Sequence, residues 1–190
     1  MDGRLRSNGA LDFDGFTTMM HRLLSLSWGD DWGYFTEEFP TTTDSENIQY
    51  PAITYTIESM QPGLIGKNVR EIKPRHRSYV KEDVNGNSDE FIEIFGQTLD
   101  YVIEFQLFEE NNKKLMELHK RFRDFMKTYT GYFMKNGVKT VLFMNMKKKE
   151  QNLKDVSVSR SHFYLVQLEE ITEVPRAELK IIFQAFEEGL

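Results

Sequence analysis

The sequence contains no cysteine, which excludes thiolate catalysis, cysteine-held zinc or iron–sulfur centres and any disulfide framework. No apolar run approaches the roughly 20 residues that span a bilayer. The start, Met1-Asp2-Gly3-Arg4-Leu5-Arg6, leads into polar residues instead of an apolar leader core, so folding in a cytoplasm and no membrane partner are expected. A surplus of positive charge is also missing. Thirty acidic against 24 basic residues leave a net charge of −6, which does not mark the whole chain as a nucleic-acid binder. Chemical motifs are equally scarce. His21, His76, His119 and His162 stand alone, with no HExxH pair. Asp83, Asn85, Asn87 and Asp89 resemble part of a calcium loop, but Ser88 and Ile94 stand where such a loop needs glycine and glutamate. There is no GxSxG, and Ser161-His162 lies in a strand pattern whose neighbours face opposite ways. The expectation is a protein that is not an enzyme and holds no metal or cofactor.

What is abundant is apolar bulk: 15 Phe, eight Tyr and nine Met, surface to be buried internally or against partners. The 190 residues suit a single domain over 1–190 that buries a core without disulfide staples. Helical spacing at Phe16, Met19, Met20, Leu23, Leu24 and Leu26 predicts a short helix over 14–27, capped by Asp14 or Thr17 and closed by Ser27 and Gly29. Residues 28–50 lack a period. Their aromatic and acidic composition reads either as an irregular flap whose aromatics tuck onto the core or as a segment ordered by a neighbouring subunit.

Residues 51–58 alternate as a strand, and Pro62-Gly63 marks a turn. Val69 to Val80, broken by Pro74, reads as an edge segment. Leu99, Tyr101, Ile103, Phe105 and Leu107 form the clearest strand face, opposite Asp100, Glu104 and Gln106, with Gly96 as an expected bulge or bend. These pieces predict a long β-hairpin over 69–108 that projects from the body, its tip near 82–90. A long helix follows Asn111, its stripe formed by Leu115, Leu118, Phe122, Phe125, Met126, Tyr129 and Phe133, and stops at Asn136-Gly137. Strands are expected from Val138 to Met144 and from Val156 to Glu169, joined by a polar turn over 147–155. The final apolar run, Leu179 to Phe186, reads as another strand. The economical fold is α+β in two layers, a mostly antiparallel sheet with a long hairpin packed against one long and one short helix.

Charge alternates sharply along the chain: residues 67–77 carry +4, 78–110 carry −8 and 111–154 carry +9. Such blocks describe either solvated faces or complementary patches between copies. The compact cluster Arg70, Lys73, Arg75, His76 and Arg77 is the main candidate contact surface, facing a neighbouring subunit, a docking partner or DNA.

Several residue strings carry a resemblance. Ile72-Lys73-Pro74-Arg75-His76-Arg77, then Phe95-Gly96-Gln97-Thr98-Leu99-Asp100, then Phe122-Arg123-Asp124-Phe125-Met126, Tyr129-Thr130-Gly131-Tyr132-Phe133 and Asn136-Gly137-Val138 resemble the tail terminator (tail completion) proteins of long-tailed bacteriophages, over about residues 50–170. The resemblance implies a structural virion protein that forms a ring, usually hexameric, on the head-proximal end of the tail tube. Such a ring ends tube polymerisation and offers the surface for head–tail joining. It implies the tail tube protein and the head–tail connector protein as partners, and DNA passing through the lumen without specific recognition. Its locations would be the host cytoplasm during assembly and the tail of the virion, and no catalytic residue is implied. Another head–tail joining or tail-tube protein is the nearest alternative. A small soluble nucleic-acid-binding protein or enzyme is the more distant one. On these grounds charge reversal at Arg75 and Arg77 is expected to weaken assembly while leaving the monomer folded.

Overall fold

The computed structural model describes residues 9–37, 50–81, 90–149 and 158–187. Two long strands organise it. β6 (Glu90–Glu109) and β8 (Val158–Pro175) pair antiparallel without a register break from Ile92↔Pro175 to Glu109↔Val158. The period of two sends Leu99, Tyr101, Ile103, Phe105 and Leu107 of β6 to one face with Tyr164, Val166 and Leu168 of β8, and all are buried. β7 (Thr140–Lys149) lies along the outer side of β8, while β2 (Ala52–Pro62) lies against β6 and carries the short parallel strand β1 (Tyr34–Thr36). The sheet order is β1-β2-β6-β8-β7, with β5 (Arg75–Lys81) also on β6. The fold is therefore α+β with a mostly antiparallel sheet, as the alternating patterns predict.

Two helices cover the apolar face. α1 (Phe13–Trp28) buries Phe16, Met20, Leu23 and Leu24, and α2 (Asn112–Lys135) buries Leu115, Leu118, Phe122, Phe125, Met126 and Phe133, with Tyr129 packed at the margin. Phe122 is fully buried against Phe105, their ring centroids 5.3 Å apart; burial of such a ring stabilises by roughly 1.5–3 kcal/mol. Asn111 caps α2 by accepting from the Lys114 amide at 3.0 Å, and Gly137 adopts the left-handed φ of +105° just past its end. In the segment read as a flap, Trp32 is buried, Phe35 packs on the core and Trp28 lies edge-on to Trp32 and Phe125, while Tyr34 is exposed. Residues 38–49 of that segment lie outside the described residues. Gly33 (φ +138°) permits the approach of β1 to β2, since a Cβ there would stand 1.9 Å from the Pro51 carbonyl oxygen.

Several expectations need correction. The α1 cap is Asp12, which accepts from the Gly15 amide at 2.8 Å. The helix starts one turn earlier than its buried stripe because Phe13 packs on Tyr101. Leu26 faces solvent. Gly96 forms no bulge; it pairs in register with both Arg75 and Ile171. In this sheet the register breaks instead occur between Ile57 and Ser59 and between Phe143 and Asn145. β7 continues through Lys149, into the turn expected over 147–155; residues 150–155 of that turn, and 156–157 of the strand expected after it, lie outside the described residues.

The run Leu179 to Phe186 is not a strand but part of a third helix, α3 (Arg176–Glu187). Leu179, Ile182, Phe183 and Phe186 recur at i, i+3, i+4 and i+7, a period that aligns them on one side of a helix and would scatter them across both faces of a strand.

The expected hairpin exists as β5 against β6, from Arg75↔Gly96 to Lys81↔Glu90, and its tip at 82–89 lies outside the described residues. Its arms differ from the expectation. Residues 69–74 are not part of an arm: Val69–Arg70 (β4) pairs with Leu64–Gly66 (β3) in a two-stranded ribbon, and a turn follows it. β8 flanks the hairpin as far as Pro175. The result is a three-stranded extension of the sheet with its own small cluster of Ile92, Ile94, Tyr79 and Ile171.

Candidate functional site

The basic segment sits where β6 changes partners along one edge. β2 pairs with β6 up to Pro62↔Leu99, and β5 takes over at Arg75↔Gly96. At the handover Thr98 would be left with unmet backbone groups, which burial makes costly. Its carbonyl accepts from the Gly63 amide at 2.7 Å, and its amide donates to buried Glu71 at 2.7 Å. The other Glu71 oxygen takes the Nε of Arg75, whose Nη2 reaches Glu169 at 2.5 Å. Lys139 approaches the second Glu169 oxygen at 2.7 Å. Burial opposes ionisation of Glu169, but Lys139 and Arg75 outweigh it and hold the carboxyl below its ordinary value.

The remaining basic residues divide in the same way. Arg70 donates to the Pro62 carbonyl at 2.6 Å and to buried Asp100 at 3.0 Å, and Gln167 completes Asp100 at 2.7 Å. His76 meets Glu93 at 2.6 Å and stacks on Phe95 with centroids 4.8 Å apart. Lys73 is exposed in the turn, and Arg77 is half-buried on the opposite face of β5 from His76. The five basic residues thus do not form one open patch. Arg70 and Arg75 neutralise acids of β6, β8 and the β4–β5 turn, and His76 is hydrogen-bonded to Glu93.

Glu93 also anchors α3. Ser78 donates to it, followed by Arg176 with its Nε at 2.5 Å, and these bonds hold the carboxyl down to about 2. The Arg176 guanidinium lies 4.5 Å over the Phe91 ring. Beyond this clamp α3 buries nothing: Ile182 is 55% exposed, Phe183 61% and Phe186 83%. β7 is apolar and open as well, with Leu142, Phe143, Met144 and Met146 exposed. Among the described residues β7 pairs only with β8, so its outer edge carries no partner strand.

Two histidines that are isolated in the sequence meet under α2. His119 Nδ1 and His162 Nε2 are 2.7 Å apart, and His162 is fully buried with Phe122 edge-on at 5.7 Å. His162 Nδ1 has no partner among the described residues. We assign the donor as His162 Nε2–H, which leaves an unmet lone pair in the core and avoids the costlier unmet N–H. Burial first, then His119, Arg123 and Arg160, push His162 down to about 3, and burial pushes His119 down too. The pair is 43 residues apart in the chain, so no local spacing could have exposed it. Its sign is the in-facing parity of His162 on β8 and the position of His119 one residue after Leu118 of the stripe. Beside the pair, α2 and β7 enclose a cleft of about 350 Å³ lined by Arg123, Met126, Lys127, Val141, Phe143 and Tyr164.

Two histidines alone do not make a metal site, and no group of three or more metal-ligating side chains occurs among the described residues. No described helix is long and apolar enough to cross a membrane. The open features are therefore an apolar helix at one end of the long strands and an apolar, cation-rimmed edge toward the other. In comparison with known proteins, the chain matches no family model and no curated protein.

Proposed function

We propose that this chain is a structural ring subunit, a tail-terminator-like protein that closes the head-proximal end of a phage tail tube and presents the surface for head–tail joining. The observation that carries the reading is α3: a helix clamped at its first residue by Glu93 that offers Ile182, Phe183 and Phe186 to solvent. A soluble chain seldom leaves such a contiguous apolar stripe exposed unless another surface covers it. The edge of β7, which pairs only with β8 among the described residues, is a second unfilled contact. A rigid body of one sheet and two helices with unlike contact surfaces suits a part that must bind its own copies laterally and a tube axially.

On this reading the partners are copies of the chain, in a ring that the family resemblance makes hexameric, together with the tail tube protein and the head–tail connector protein. DNA crosses the lumen without base recognition. The protein acts in the host cytoplasm during assembly and remains in the virion tail.

The test is mass measurement and negative-stain imaging of purified protein, alone and with tail tubes. Closed rings of one size, or single chains that close into rings on tube ends, are the expected result. Open-ended tubes would assign it to the tube subunits instead. A lone chain that ignores tubes would refute the reading, and DNA affinity falling steeply with salt would favour the nucleic-acid alternative.

A further inference from the structure

The two open surfaces of one chain complement each other but cannot meet within it. α3 begins twelve residues beyond Tyr164 on β8, the residue that floors the α2–β7 cleft; at the rise of a strand this is roughly 40 Å. α3 itself is only about 18 Å long, and its N-terminus is held at the far end by Glu93 and Phe91.

Their chemistry matches. The helix carries an apolar stripe of Leu179, Ile182, Phe183 and Phe186, and with Arg176 committed to Glu93 its remaining charges are Glu178, Lys180 and Glu187, net −1. The cleft has apolar walls in Met126, Val141 and Phe143, and its rim charges are cations only, Arg123 and Lys127. Tyr164 Oη is buried there and has no partner among the described residues.

We infer that α3 of one copy docks into the α2–β7 cleft of the next, its Phe183 and Phe186 against Phe143 and Val141 and its acids beside Arg123 and Lys127. This is helix-in-groove recognition. Covering Ile182, Phe183 and Phe186 of the helix and the matching surface of the cleft buries roughly 1,000 Å² counted over both copies, the lower bound for a specific interface. The contact is heterologous, so each chain donates a helix and receives one, and repetition closes a ring or grows a filament according to the rotation it imposes. The inference rests on the ring reading and names the lateral contact within it.

Two variants test it, both at exposed positions so that the fold is kept. Phe183→Asp/Phe186→Asp spoils the helix and leaves the cleft intact. Arg123→Glu/Lys127→Glu spoils the cleft and leaves the helix intact. Circular dichroism and unfolding midpoints first confirm that both fold. Light scattering should then find each variant alone as single chains, and an equimolar mixture as a complex of two chains, since each supplies the half that the other lacks. A cleft variant that still self-associates through α3, or a mixture that forms no complex, would overturn the inference. If the wild type closes rings while the mixture stays apart, the ring reading stands and this contact is wrong. If the mixture pairs while the wild type grows open filaments, the contact stands and the terminator reading fails.

Discussion

Replacing His162 with Phe should remove much of the acid sensitivity of this fold. In the native state His162 is fully enclosed and held down to about 3, against an ordinary value of 6.5. The unfolded chain therefore binds more protons than the native chain between those two values. The sign follows directly: stability contributed by the neutral ring is complete above pH 6.5, falls as the pH drops through the window, and levels off near pH 3. One proton of difference gives a slope of about 1.4 kcal/mol per pH unit, so at pH 5 the wild type should have lost about 2 kcal/mol through this residue. A phenyl ring fits the same enclosure, beside Phe122 and Phe143, and leaves half-buried His119 to exchange its lost partner for water. Urea unfolding followed by the fluorescence of Trp28 and Trp32, at neutral pH and at pH 5, supplies both free energies. The His162→Phe variant should lose about 2 kcal/mol less than the wild type on acidification. A residual slope will remain because His119 is also shifted down and the two rings titrate as a pair. Parallel losses in the two proteins would refute the reasoning.

Two further substitutions probe the core and the handover. Phe122→Ala removes the ring at the centre of the α2 stripe and should cost about 3–5 kcal/mol; an unfolding midpoint close to the wild type would place that ring outside the core. Arg75→Glu sets a third carboxylate against Glu71 and Glu169, which Arg75 now neutralises, and should cost about 2–4 kcal/mol, whereas Lys73→Glu in the exposed turn should change stability by less than about 0.5 kcal/mol. Equal midpoints for the two reversals would show that Arg75 is no more structural than Lys73.

Most of the fold was legible because its longest elements keep one period throughout. Leu99 to Leu107 alternate with Val102 as the one apolar residue on the polar side, and Leu115 to Phe133 recur at three and four, so strand β6 and helix α2 follow from spacing alone. α3 was misread because Leu179 to Phe186 is both apolar and short, and such a run satisfies either period when only its hydrophobicity is weighed. The i, i+3, i+4, i+7 positions decide it. The histidine pair was not legible, since contact between residues 119 and 162 depends on the angle at which α2 crosses β8, which no local pattern encodes.

The basic segment shows how charge in a sequence differs from charge on a surface. Residues 67–77 carry +4 and 78–110 carry −8, and among the described residues the first block spends its cations on acids, Arg70 on Asp100 and Arg75 on Glu71 and Glu169. Register places Arg75 beside Gly96, a position with no side chain to obstruct it, so the guanidinium can reach Glu71 and, across β6, Glu169. Arg70 is brought over Asp100 by the β3–β4 ribbon. Each of these acids is buried and would be costly without its cation, so the arginines are committed before any partner arrives. Charge reversal at Arg75 therefore tests folding, where the sequence alone suggested a test of assembly. Arg123 and Lys127 of α2 are among the cations that stay exposed, assigned to solvent by the helical stripe pattern and set by the edge of β7 at the border of a cleft. On the proposed reading, electrostatic recognition belongs to that border, and a variant that separates assembly from stability is best made there.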